Sequence, residues 1–204
     1  MLIQLQDFIV NNKIYIPSDC SIGDNCRINI NDDYIESFTL VVDRKSILRN
    51  LSISIAGHNA TLKIGAYSNI RGSIFIRHHN STVSIGNYTT TVNCSFFALE
   101  GKSINIGDDC MFSSNVILRT SDEHSIIDLS KNSRINPAED INIGNHVWIG
   151  EGVTINKGVI LPDDVIVGSA AVLTRNEYKS HSIYAGIPAR QIRDNVSWNR
   201  KLLK

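Results

Sequence analysis

One histidine in this chain stands where acid–base chemistry could be done. His124 lies in SDEHS, inside a polar stretch that runs from residue 119 to 140. A neutral imidazole near pH 7 is a competent base for an alcohol, and a positioned base contributes about 10²–10⁴-fold to a rate. Asp122, two residues earlier, is one group that could orient the ring; a backbone carbonyl is another. Trp148 follows 24 residues later, in VWIG. Its indole offers a flat apolar face for stacking and an N–H to donate. Covalent alternatives find little support: there is no GxSxG, and no cysteine lies in a nucleophile motif. Direct group transfer is therefore favoured, with Cys94 the one thiol worth testing as an exception. The six histidines show no paired spacing, so no metal site is expected. His78–His79 read as solvated corner residues. His58, His146 and His181 have no partner motif, and of these only His146 is close enough to Trp148 to share a cleft with it.

The rest of the composition bounds what these residues could act on. The chain has 204 residues, 42% of them hydrophobic, and a formal net charge of zero. That length fits a single domain, 1–204, with a core that needs no metal or disulfide. Neutrality argues against a general nucleic-acid binder. It hides a basic end: after Ala171 come Arg175, Lys179, Arg190, Arg193, Arg200, Lys201 and Lys204 against Glu177 and Asp194. Such an end is suited to an anion, or is simply a solvated tail. The opening MLIQLQDFIVNNK lacks the features of a secretory signal, and no apolar run approaches the roughly 18 residues of a membrane span. A soluble, cytoplasmic protein is expected, with its four cysteines as free thiols. Cys26 and Cys110 close two similar segments, IGDNC and IGDDC, and read as small inward residues.

The elements that must position His124 and Trp148 are set by a repeat. Ile143, Ile149, Ile155, Leu161, Val167 and Leu173 recur every six residues, with Val147, Val153, Val159, Val165 and Ala171 four places after each of the first five. Helices want spacings of three and four, and strands want two. Steps of six describe a β-solenoid: each aliphatic points inward and stacks on its equivalent one coil away. Gly, Asn or Asp falls where the chain bends. Three hexads close a triangular coil, and each coil adds roughly 4.8 Å. Earlier, Ile22, Ile64, Ile85 and Ile106 carry looser copies of the motif; the last three stand 21 apart and Ile22 stands 42 before Ile64. This reads as 18 plus a three-residue bulge at one corner, with a missing member near Asp43. Eight or nine coils then fit between about residue 10 and residue 175.

Two stretches break the repeat. Residues 119–140 form an excursion loop, and long loops in compact domains are usually functional. Residues 176–204 look like a turn, a short extended AGIPAR and a terminal helix that would cap the stack.

The run INIGNHVWIGEGVTINKGVILPDDVIVGSAAVLTRN, followed by YAGIPARQIR, resembles the C-terminal half of the hexapeptide-repeat acyltransferases, which are left-handed parallel β-helices. It is most similar to the sugar and polysaccharide O-acetyltransferases, including those acting on sialic-acid capsules and galactosides. The similarity is strong over about 105–195 and pattern-level before that.

The resemblance implies an acetyl-CoA-dependent O-acetyltransferase acting on a sugar hydroxyl, with no metal required. His124 would take the acceptor proton, and Trp148 would line the acceptor site beside it. The thioester oxyanion would meet the backbone N–H of Gly150 or Glu151. Gly168 and Ser169, with Ala170, would contact the pantetheine arm. Thr174, Arg175, Arg190 and Arg193 would hold the adenosine phosphates; Arg175 stands where the family has lysine, which keeps the charge and changes the geometry. The family trimerises, so His124 of one chain would work with Trp148 of another. Three readings stay open on these residues: an enzyme for a surface glycan or its precursor, an enzyme for small acceptors such as free sugars, amino sugars or antibiotics, and a non-catalytic solenoid scaffold.

Overall fold

The computed structural model of the chain describes residues 13–30 and 37–203. Their regular structure is all β, wound into a solenoid. One face is built from seven parallel strands: Lys13–Tyr15, Phe38–Val42, Ala60–Ile64, Thr82–Ile85, Ser103–Ile106, Ile141–Ile143 and Ile160–Leu161. A second sheet supplies the other two faces, because its long strands turn a corner midway. Met111–Arg119 pairs first with Trp148–Ile149 and then, past the corner, with Thr154–Asn156. Each coil thus contributes one strand segment to each of three faces.

The core follows from the register. Val42, Ile64, Ile85, Ile106, Ile143 and Leu161 stand in one column, each paired with the next, and all are buried. Burying one such side chain contributes roughly 1.5–3 kcal/mol. The column identifies the missing aliphatic near Asp43 as Val42. It also removes Ile22 from the set: Ile22 pairs with Leu48 on the second face and is 48% exposed. The IGDN signature marks a strand end at any corner, so the same letters recur on a different face.

The extra residues of the early coils sit mostly at one corner. Ile155 to Leu161 spans six positions across the corner from the third face to the first, whereas Ile74 to Ile85 spans eleven. The corner between the second and third faces is tightened instead, with a register shift near Asn69 and Gly72. The net excess is the three residues expected, divided between two corners. These longer coils, together with the 22-residue excursion, leave seven strands on the first face instead of eight or nine coils. The expected start near residue 10 lies outside the described residues.

The C-terminal stretch departs from expectation: no helix occurs among the described residues. Ser182–Ala185 adds a parallel strand beside Val165–Val167, and Arg190–Arg193 returns antiparallel against it. This hairpin caps the stack. Gly186 (φ +96°) and Pro188 make its turn and oppose helix there. Beyond it the chain is held by the Val196 N–H donating to His181 O at 3.0 Å and by side chains, not by helical bonds. Trp198 is buried, stacks on His146 at 4.3 Å and donates its indole N–H to the His146 carbonyl at 2.8 Å.

Candidate active site

The excursion loop grows from the wide corner between the third and first faces, directly after Arg119. Its base is closed by the Glu139 N–H donating to Thr120 O at 3.0 Å, and its tip is a small antiparallel pair, Ile127–Asp128 with Ser133–Arg134. Three contacts tie it to the coils below. Arg134 grips the Glu100 carboxylate with two bonds, 2.7 and 3.0 Å, and Ser121 donates to the same carboxylate. Arg77 pairs with Glu123 at 3.1 Å. Lys157 and the Asn136 amide both donate to Asp122, and that amide also donates to the His124 carbonyl at 2.8 Å. Asp122 therefore fixes the loop backbone at His124 through Asn136, not the imidazole itself. The Lys157 hydrogen bond, followed by that of Asn136, holds the Asp122 carboxyl below its usual range. The His124 ring is exposed and makes no hydrogen bond or ion pair among the described residues.

Trp148 stands on the second face, 39% exposed, with Trp198 against it at 6.0 Å and a 49° tilt. Next to it, Gly150 is buried and its N–H is spent on Val167 O at 2.8 Å. A side chain there would meet the Ser169 nitrogen at 2.7 Å, so the close stacking of Gly150 on Gly168–Ser169 demands glycine. The Glu151 N–H, at the bend beyond, has no partner among the described residues. Of the two expected oxyanion donors, Glu151 is the free one. Gly168 gives its N–H to Tyr184 O at 2.8 Å, and Ser169 is exposed beside it. Arg190 and Arg193 lie exposed on the capping hairpin two strands away.

Thr174 and Arg175 fall elsewhere. They follow Val172–Leu173 at the end of the third face, where Arg175 pairs with Glu139, at the base of the excursion loop, at 3.1 Å. The expected residues thus form two groups in one chain. His124, Asp122 and Arg175 lie at one end of the third face. Trp148, Gly150, Glu151, Gly168 and Ser169, with the Arg190–Arg193 hairpin strand, lie on the second face and at the bend that leads to the third. The strand Met111–Arg119 links the two groups, passing Trp148 on the second face and turning the corner below Glu151 before it reaches the excursion loop. Neither group alone holds both His124 and the Glu151 N–H.

Several residues that build these groups carry no motif. Glu100, Arg134, Asn136 and Lys157 meet only through folding. Trp198 did leave a trace: an indole in the polar run SWNRK calls for burial. Arg200 is also spent, bonding Asp109, Thr90 and the carbonyls of Tyr88 and Cys110 at 2.9–3.1 Å. Part of the basic C-terminal end is therefore structural.

No protein-family profile matches the chain. A polysialic acid O-acetyltransferase of Neisseria meningitidis is 33% identical over 194 residues, covering 94% of this chain and 77% of that protein. A polysialic acid O-acetyltransferase of Escherichia coli O1:K1 / APEC is 36% identical over 98 residues, 48% of this chain; that alignment spans 32% of the relative. Among solved structures, the polySia specific acetyltransferase NeuO superposes with a TM-score of 0.80 at 30% identity, covering 94% of this chain and 85% of that one. The polysialic acid O-acetyltransferase OatWY gives 0.78 at 31% identity, covering 95% and 90%. The chain belongs to the polysialic acid O-acetyltransferase family.

Two electrostatic features bear on how this polysialic acid O-acetyltransferase homologue could work. Burial pushes the thiols of Cys94 and Cys110 up to about 12, so neither offers a thiolate near neutrality. The Arg134 hydrogen bonds, with help from Ser121, bring the Glu100 carboxyl down to about 2 from an ordinary 4.5. A carboxyl with a lowered folded-state pKa stabilises above its unfolded value, and that contribution is lost as pH falls through the folded one. The anchoring of the excursion loop should hold above pH 4.5 and fade between 4.5 and 2. Hydrogen-exchange protection of the 121–136 amides is expected to drop across that window, and Arg134→Gln to lower it already at pH 7. Equal protection in both proteins at pH 7 would contradict this assignment of the anchor.

Proposed function

We propose that this chain transfers the acetyl group of acetyl-CoA to a hydroxyl of a bacterial polysaccharide, with polysialic acid the first acceptor to test. The observation that carries the chemistry is the division of the site into two complementary groups at opposite ends of one face. A closed ring of three chains would bring the His124 end of one chain against the Trp148–Glu151 bend of the next. The same arrangement would cover Ile117, Trp148 and Ile160, together with the apolar tip of the loop at Ile126, Ile127 and Leu129, all exposed in a single chain.

In this reading His124 accepts the proton of the acceptor hydroxyl as its oxygen attacks the thioester carbonyl. The Glu151 N–H, without a partner among the described residues, receives the developing oxyanion. Collapse of the tetrahedral intermediate expels the CoA thiolate, which takes the proton back from the imidazolium. The high thiol pKa of Cys94 supports this direct route over an acyl-enzyme. Gly168 and Ser169 lie against the pantetheine arm. Arg190 and Arg193 meet CoA phosphates from one chain, and Thr174 and Arg175 approach from the other, after Arg175 exchanges Glu139 for a phosphate.

The test is direct. The purified protein is incubated with acetyl-CoA and polysialic acid, and both released CoA and acetyl esters on the polymer are measured. Equimolar release and esterification are expected. CoA release without ester, or no release with polysialic acid or other acidic polysaccharides, would overturn the reading.

A further inference from the structure

Seven corner residues of the solenoid take left-handed backbone conformations in a single vertical column: Lys45, Tyr67, Tyr88, Asp109, His146, Asp164 and His181, with φ from 52° to 60°. Bulky side chains are uncommon in that region, where Asn, Asp and Gly are the usual occupants. Two tyrosines there call for an explanation. Their rings stack at 5.0 Å and within 3° of parallel. The Arg44 and Lys45 side chains lie over the Tyr67 ring at 5.8 and 5.5 Å. Tyr88 remains 55% exposed.

Above Tyr88 the column changes from an aromatic to Asp109, a smaller side chain, before His146 and Trp198 resume the stack. Beside that change lies a shallow cavity of about 490 Å³, open to solvent over most of its extent and lined by Tyr88, Thr90, Asp109 and Arg200. Arg200 reaches into it from the C-terminal tail, and four acceptors hold it rigidly: Asp109 at 2.9 Å, Thr90 at 3.0 Å, Tyr88 O at 3.1 Å and Cys110 O at 2.9 Å. A guanidinium has five N–H groups, so one remains. The cavity lies on the same face as Trp148, since Thr90 pairs with Met111 and Met111 with Trp148. It is therefore two coils below the indole, roughly 10 Å at about 4.8 Å per coil.

We propose that this cavity is a remote acceptor subsite, holding a sugar of the same acidic glycan chain two coils away from the residue being acetylated. The chemistry of the walls selects the occupant. An aromatic face takes the C–H side of a pyranose. Thr90 and Asp109 take hydroxyls, and the remaining Arg200 N–H takes a carboxylate or carbonyl oxygen. A purely apolar ligand would leave the remaining Arg200 N–H without an acceptor. Further down the column, Arg44 and Lys45 give the carboxylates of the continuing chain a cationic landing. The stack on Tyr67 and the four bonds of Arg200 fix the walls before binding, which lowers the ordering cost.

This rests on the acceptor being an extended glycan, and the experiment separates the two ideas. Acetyl transfer is measured on short and long oligomers of sialic acid with the wild-type protein, Tyr88→Asn, Tyr88→Leu and Tyr88→Phe. Asparagine suits the left-handed backbone, leucine keeps bulk without a ring, and phenylalanine keeps the ring. The preference for long over short oligomers, as a ratio of kcat/KM, is expected to fall about tenfold in Tyr88→Asn and Tyr88→Leu, the factor of one well-made aromatic contact. It should recover in Tyr88→Phe, with KM for acetyl-CoA constant throughout. An unchanged length preference in both ring-less variants overturns the subsite. Equilibrium binding of the long oligomer without acetyl-CoA is measured in parallel. A wild type that transfers nothing, yet loses about tenfold in binding on Tyr88→Asn, overturns the transferase reading and supports the subsite. A wild type that neither binds nor transfers overturns both.

Discussion

Replacing His124 with alanine is expected to lower kcat for acetyl transfer by about 10²–10⁴-fold, with KM for acetyl-CoA within about twofold of wild type. The size follows from the step removed. A sugar hydroxyl is a poor nucleophile until its proton has somewhere to go, and the two carboxylates nearest His124 in sequence are already engaged. Asp122 is engaged by Lys157 and Asn136, and Glu123 by Arg77. The residues assigned to acetyl-CoA, Arg175 at the same end of the face included, keep their side chains in this variant, so binding of acetyl-CoA should not register the loss. The fold should register it little, because the imidazole is exposed and makes no hydrogen bond or ion pair among the described residues. Asp122→Asn makes the companion experiment. It weakens the link through Asn136 to the His124 carbonyl, so a smaller fall in kcat is expected, together with lower hydrogen-exchange protection in the loop. Folded His124→Ala protein that transfers acetyl at more than about a tenth of the wild-type rate would remove His124 from the role of base.

How much of this was legible beforehand depends on the range of the interaction. The solenoid was written in the spacing from Ile143 to Leu173, because a coil of three equal faces imposes one inward residue every six. Val42 escaped notice because VVDRKS lacks the Ile-Gly that marks a corner, and Ile22 misled because it has that mark on another face. The excursion loop was visible as a gap in the repeat, but its clamp was not: Glu100 and Arg134 are 34 positions apart, and nothing local couples them. The terminal helix failed for a related reason. DNVSWNRK can form a helix only if its own hydrogen bonds compete with burying Trp198 on His146 and spending Arg200 on four acceptors, and the tertiary contacts win. The candidate site residues were named from local motifs, and their division between two ends of a face required the register of Met111–Arg119.

That division leads to the second large effect. Chains carrying His124→Ala and chains carrying Trp148→Ala should each be nearly inactive alone, and active when mixed. In a closed three-fold ring every site takes its base from one chain and its Trp148–Glu151 bend from the next. In an equal, random mixture a given site has an intact His124 with probability one half and an intact Trp148 with probability one half. About a quarter of the wild-type activity per site is therefore expected from the co-assembled rings. A site contained within one chain predicts a different result, since every chain in the mixture would carry one defect and none could recover. The measurement needs co-refolding or co-expression, so that subunits exchange, and a control in which the two proteins are mixed after assembly. The control should stay inactive. Recovery in the control would point to subunit exchange or contamination, and no recovery in the co-assembled sample would place His124 and Trp148 in separate functions. Light scattering on the same samples supplies the mass: three chains are required, and a fully active single chain would refute the shared site outright. Trp148→Ala also removes the neighbour of Trp198, so its melting temperature has to be compared first. A variant that melts near the wild-type temperature and complements His124→Ala can owe its inactivity only to the site.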